Sequence, residues 1–145
     1  MNELQHQIID EAREWLGTPF HHQGRLKGVG VDCVGLIIGV GRALNLQKDY
    51  IDEGDYSNIP DGSMEAKVND VLIRIPRDYR QPGDIVHFAW TAIPQHLGIL
   101  TDQNTVIHAL GHDGHGKVVE THLAPAHLKR VRAVFRFPEV EQWQP

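Results

Sequence analysis

The chain has 145 residues, 41% of them hydrophobic and 23% charged, with a formal net charge of −5. That length fits one domain over residues 1–145, long enough to bury a core without covalent staples. The acidic balance argues against a broad phosphate-binding surface, so no nucleic-acid partner is expected. No apolar run approaches the roughly 18 residues that span a bilayer, so no membrane insertion is expected either. The opening MNELQHQIIDEAREW is polar and lacks an apolar signal core, which predicts synthesis and folding in the cytoplasm without a signal peptide. The single cysteine, Cys33, excludes an internal disulfide.

Leu4, Ile8, Ala12 and Trp15 form one apolar stripe and predict a helix over 3–16, ended by Gly17 and Pro19. Residues 20–31 carry Gly24, Gly28 and Gly30 and read as a loop. Asp32 is a good N-cap, which makes Cys33 the first residue of a second helix. Leu36, Ile37, Val40, Ala43 and Leu44 continue it at helical spacing to about Asn45, apolar on most sides, as in a buried central helix. Residues 47–63 are acidic and turn-rich. A third helix is expected over 64–74, with Met64, Val68, Val71, Leu72 and Ile75 on one face and Pro76 as its stop. The period then changes. Asp84–Trp90, Gln95–Thr101, Thr105–Leu110, Lys117–Thr121 and Arg130–Phe137 read as strands. In the last, Val131, Ala133, Phe135 and Phe137 alternate with Arg130, Arg132 and Arg136, which predicts one buried and one solvated face. Helices followed by strands argue an α+β fold, with an antiparallel sheet packed on the Cys33 helix.

A thiol in the first turn of a helix sits where free amides and the helix dipole favour an anion, so a lowered pKa and a nucleophilic role are expected for Cys33. The plainer reading of a lone cysteine is a buried, inert side chain. A nucleophilic thiol needs a base within hydrogen-bond reach. His96 and His108 lie on neighbouring predicted strands. If these pair with Thr101 opposite Thr105, Gly98 faces His108, and His96 lies two residues along on the same face, close enough for the two rings to meet. One imidazole then serves as base and the other orients it; the plainer alternative is two unrelated histidines of a sheet.

The chain holds ten histidines. His21 and His22 precede the nucleophile and are candidates to line a cleft. His112, His115 and His122 have a loose metal-like spacing, but structural zinc sites usually recruit thiolates, so no metal is expected. His6, His87 and His127 read as surface or helix residues. Gly28-Val29-Gly30 lacks a third glycine and a preceding strand, and no Gly-Lys-Ser/Thr occurs, so no nucleotide cofactor is expected. Lys129, Arg130, Arg132 and Arg136 read as a solvated strand face.

Four blocks in order resemble the NlpC-like cell-wall cysteine peptidases: Asp32-Cys33-Val34-Gly35-Leu36, Pro82-Gly83-Asp84-Ile85-Val86, His96-Leu97-Gly98-Ile99 and Val106-Ile107-His108-Ala109. Trp15-Leu16-Gly17-Thr18-Pro19-Phe20 is similar as well. The phage and prophage tail-associated branch shares the long segment between the nucleophile helix and the Pro-Gly-Asp turn. The resemblance implies a papain-like fold with Cys33 as nucleophile, His96 as base and His108 as the orienting residue. It makes Asp32, Phe20 and His22 the candidate substrate-binding or oxyanion residues. It also implies hydrolysis of peptidoglycan stem peptides, commonly between D-glutamate and diaminopimelate, and other tail proteins as partners of a virion-borne enzyme. Val34 stands where the family usually has serine. Phe20 stands where it usually has tyrosine, and His22 is a candidate for the missing polar group. The rival readings are a non-catalytic tail-tip module that keeps the fold, and another thiol amidase or acyltransferase with the same triad.

Overall fold

The computed structural model describes residues 1–47, 50–52, 56, 61–89, 96–111 and 116–141. Helix α1 spans Glu3–Arg13. Its start is locked reciprocally: the Asn2 side chain accepts from the Gln5 amide at 2.9 Å, and the Gln5 side chain accepts from the Asn2 amide at 2.7 Å. The segment read as a glycine-punctuated loop contains a small antiparallel ribbon, β1 (Arg25–Leu26) with β2 (Gly30–Val31). Helix α2, Cys33–Ala43, begins at the expected residue, because the Asp32 carboxylate accepts from the Gly35 amide at 2.8 Å.

Helix α3, Ser63–Val71, is shorter than expected. Leu72 is extended, with ψ 157°, and Ile73–Ile75 form an edge strand, β3. The two β-branched isoleucines favour the extended state, and Pro76 denies the helix a continuation. A 3-10 turn at Arg77–Tyr79 leads to β4 (Ile85–Phe88), β5 (His96–Leu100), β6 (Thr105–Ala109) and β7 (Val118–His122). Short helix α4 (Pro125–Leu128), strand β8 (Val131–Arg136) and helix α5 (Pro138–Glu141) complete the chain. Trp90 and Gln95, expected strand ends, and most of 47–63 lie outside the described residues.

Strands β3 to β8 form one six-stranded sheet in the order β3-β8-β4-β5-β6-β7, antiparallel throughout. Helix α2 packs Leu36 and Val40 among Ile85, Leu97, Ile99, Ile107 and Phe135 of one sheet face, none of which is exposed at all. Each such side chain contributes about 1.5–3 kcal/mol on burial. Gly39 lets the Trp15 ring approach α2 closely, since a Cβ there would fall 2.1 Å from the ring.

The expectation of a solvated second face is corrected. Val86, Phe88, Leu100, Val106, Val131 and Val134 form a second buried cluster there, with Leu123 and Leu128 against it. Arg136 is likewise buried rather than wet. Its guanidinium meets Asp84 with two parallel bonds, Nε to Oδ1 at 2.7 Å and Nη2 to Oδ2 at 2.8 Å. Only Lys129, Arg130 and Arg132 of the expected basic edge are exposed.

Candidate active site

Local rules set the site's frame. Asp32 starts α2 and so places Cys33 with free backbone amides around its sulfur. The β5–β6 pairing runs Ile99 to Ile107 and Leu100 to Val106, with the Thr101 and Thr105 hydroxyls 2.6 Å apart at the turn. One step further along that ladder, Gly98 lies beside His108. A Cβ on Gly98 would sit 2.4 Å from the Val106 side chain and 3.3 Å from the His108 Cβ, so the position leaves no room for a larger residue.

His96, at the start of β5, reaches His108 across this gap. The rings are 5.0 Å apart, and His96 Nε2 lies 2.7 Å from His108 Nδ1. That is the diagonal meeting the strand pattern predicts. His108 Nε2 in turn lies 2.9 Å from Thr121 Oγ1 on β7, a residue sequence reasoning passed over. Cys33, His96, His108, Thr121, Phe20, His22 and Asp32 line one cleft of roughly 600 Å³, with Met64, Phe88 and His127 also on its wall.

The NlpC/P60 family matches the chain over residues 17–133. The chain belongs to that family. Solved NlpC/P60 structures share the fold. The NlpC/P60 domain of the peptidoglycan hydrolase SagA is 19% identical, with a TM-score of 0.61 over 93% of this chain and 98% of that one. The peptidoglycan hydrolase RipB of Mycobacterium tuberculosis is 16% identical, with a TM-score of 0.62 over 94% of this chain and 68% of that one. An NLP/P60 family protein similar to a lipoprotein, from Staphylococcus aureus, is 19% identical with a TM-score of 0.63; this chain is covered over 94% of its length but spans only 42% of that protein. A comparison with curated protein sequences gives no match. The helices packed on the antiparallel sheet are the papain-like arrangement of this family.

Within this NlpC/P60 domain the sulfur is not the exposed anion that its helix position alone suggests. Cys33 is only 4% exposed, and its sulfur lies 3.7 Å from Met64 Sδ on α3. Burial and the neighbouring Asp32 charge push the thiol up to about 12, against the pull of the Leu97, Val34 and Cys33 amides. The expected lowering of the thiol pKa is therefore corrected: desolvation outweighs the helix start. Burial, then His108 and His87, push His96 down to about 3. Burial, then His127, push His108 down to about 4. All three shifts run in one direction, toward a thiol and two uncharged imidazoles. Met64→Ala is expected to open the sulfur to reagents. Alkylation of Cys33 by iodoacetamide should quicken about tenfold, while stability falls by about 2–4 kcal/mol from the cavity left behind. Rates of mass gain and denaturant midpoints check both.

Asp32 is saturated. Its Oδ1 accepts from the Gly35 amide and, at 3.2 Å, from Arg25; its Oδ2 accepts from the Gln23 amide at 2.7 Å and the Tyr56 hydroxyl at 2.5 Å. His22 Nδ1 is further away, at 3.8 Å, and its ring meets the Tyr56 ring edge-on. The hydroxyl beside the nucleophile helix thus comes from Tyr56, out of a segment that sequence reading took only as acidic and turn-rich. Phe20 lines the cleft with its ring; His21 instead bonds the His22 carbonyl at 3.0 Å and is not on the cleft wall.

His87, read as surface or helix, is on β4 and has no exposure at all. His127 sits on α4 as a cleft residue, its Nδ1 accepting from the Ala124 amide at 3.2 Å. His112 and His115 lie outside the described residues. Among the described residues no group of three or more His, Cys, Asp or Glu is placed to hold a metal ion, and no helix is long and apolar enough to cross a membrane.

Proposed function

We propose that the protein is a cysteine peptidase that hydrolyses amide bonds of peptidoglycan stem peptides. The observation that carries this reading is the 2.7 Å contact between His96 Nε2 and His108 Nδ1 on the wall of the Cys33 cleft. With Nε2 engaged by His108, Nδ1 is the nitrogen of His96 left to take a proton. His108 holds the ring in the tautomer with its proton on Nε2, so Nδ1 can accept.

Burial favours the uncharged thiol and imidazole, so in this reading proton transfer accompanies attack. The Cys33 proton moves to His96 Nδ1 as the sulfur bonds to the amide carbonyl carbon. The amide of Cys33 stabilises the developing oxyanion. His96 then gives the proton to the leaving amine as the C–N bond breaks. Water, deprotonated by His96, hydrolyses the thioester and restores the thiol. Asp32, with all its partners made, braces the start of α2, while Phe20, His22 and His127 form the walls that receive the peptide.

The D-glutamyl–diaminopimelate bond is the substrate this reading favours, on the strength of family membership. Delivery by a phage or prophage tail, among other tail proteins, rests on the long Cys-helix-to-Pro-Gly-Asp segment. One observation favours the rival, a non-catalytic tail module: the sulfur is enclosed beneath Met64. Incubation with peptidoglycan followed by mass spectrometry separates the two. New amino termini at diaminopimelate are expected. Muropeptides left intact, under conditions in which a known endopeptidase cuts them, would overturn the peptidase reading.

A further inference from the structure

We infer that Thr121 is a positioning residue that holds His108 with its Nδ1 turned, as an acceptor, toward His96. The inference rests on the peptidase reading and deepens it. Register makes the placement: Val106 pairs with Thr121 and His108 with Val119, so Thr121 stands diagonally from His108, two residues along the next strand. The hydroxyl lies 2.9 Å from His108 Nε2, and the other nitrogen of that ring lies 2.7 Å from His96. Among the described residues, both nitrogens of His108 are thereby engaged in one chain that runs Thr121, His108, His96.

Such a chain has two proton polarities. If Thr121 donates, His108 carries its proton on Nδ1 and donates to His96 Nε2. His96 then holds its own proton on Nδ1 and cannot accept another there. If Thr121 accepts, His108 carries its proton on Nε2, its Nδ1 accepts from His96, and His96 Nδ1 is bare. Only the second polarity allows the thiol to be deprotonated. It also strengthens during reaction. As positive charge develops on His96, its Nε2–H bond to His108 shortens, His108 polarises, and the bond to Thr121 tightens in turn. Thr121 touches no reacting atom, so its contribution is realised in the transition state, through kcat rather than KM.

The test compares wild type with Thr121→Val, which keeps the shape and removes the acceptor, and Thr121→Ser, which restores it. Imidazole nitrogen chemical shifts by NMR read the tautomers without any substrate. In wild type and Thr121→Ser, His108 and His96 should both be protonated on Nε2; Thr121→Val should show mixed tautomers. Hydrolysis by Thr121→Val should lose about ten- to a hundredfold in kcat with KM within about twofold, and Thr121→Ser should recover most of it. The inference is overturned if Thr121→Val keeps the wild-type tautomers and kcat, or if wild-type His96 is protonated on Nδ1. If the tautomers respond as expected but wild type cuts no peptidoglycan, Thr121 keeps its positioning role and the peptidase reading is what fails.

Discussion

Cys33→Ala is expected to reduce turnover of stem peptides by at least about 10⁴-fold, because the other hydroxyl among the described cleft residues, on Thr121, is engaged with His108. The fold should survive. The sulfur is small, and trimming it from a buried position costs about 1 kcal/mol. His96→Ala should lose about 10²–10⁴-fold, the usual worth of a general base, and His108→Ala less, since it acts through His96. Kinetics on purified muropeptides, with denaturant midpoints alongside, check the ranking. Substantial hydrolysis by Cys33→Ala would place the nucleophile elsewhere, and equal losses at His96 and His108 would remove the distinction between base and orienter.

Acid is expected to unfold the protein through His87. Its ring is wholly buried on the α2 side of the sheet against Phe135, and neither nitrogen has a partner among the described residues. Burial, then the Arg74 charge across Phe135 from β3, push it down to about 4. The unfolded chain takes up a proton near the ordinary value of about 6.5. A folded pKa below the unfolded one means that stability is fully present above pH about 6.5 and is lost as pH falls toward about 4. His87 alone accounts for about 3 kcal/mol over that window, a large share of a domain's total. His96 and His108, also pushed down, act with the same sign. His87→Leu should match or exceed wild-type stability at pH 7 and lose markedly less between pH 7 and pH 4.5. Urea midpoints at the two pH values decide it, and equal pH slopes for the two proteins would sink the assignment.

Much of the frame was legible in residue order. Asp32 before an apolar run located the start of α2 to the residue, since an N-cap is a contact within one turn. Thr101 and Thr105 at a tight turn, with Gly98 opposite His108, placed the two histidine rings diagonally on one face of the sheet, since strand register follows from turn length and the two-residue period. The third helix was overextended by its Leu72 and Ile75, because apolar spacing alone does not separate a helix end from a short edge strand. The alternation in β8 suggested a wet face, but the segment from Leu123 to Leu128 covers it, and only the folded chain brings that segment over.

Sequence by itself determined where the sulfur enters its helix, how the histidine strands pair and which residues could make a thiol–imidazole site, because caps, turns and pleats are short-range geometry. Tertiary structure alone decided that burial favours the protonated thiol and that Met64 roofs it, that Tyr56 supplies the hydroxyl on Asp32, that Thr121 ends the histidine chain and that His87 is sealed in the core. Those outcomes depend on desolvation and on partners distant in the chain, and proton affinity answers to whatever surrounds a group in space.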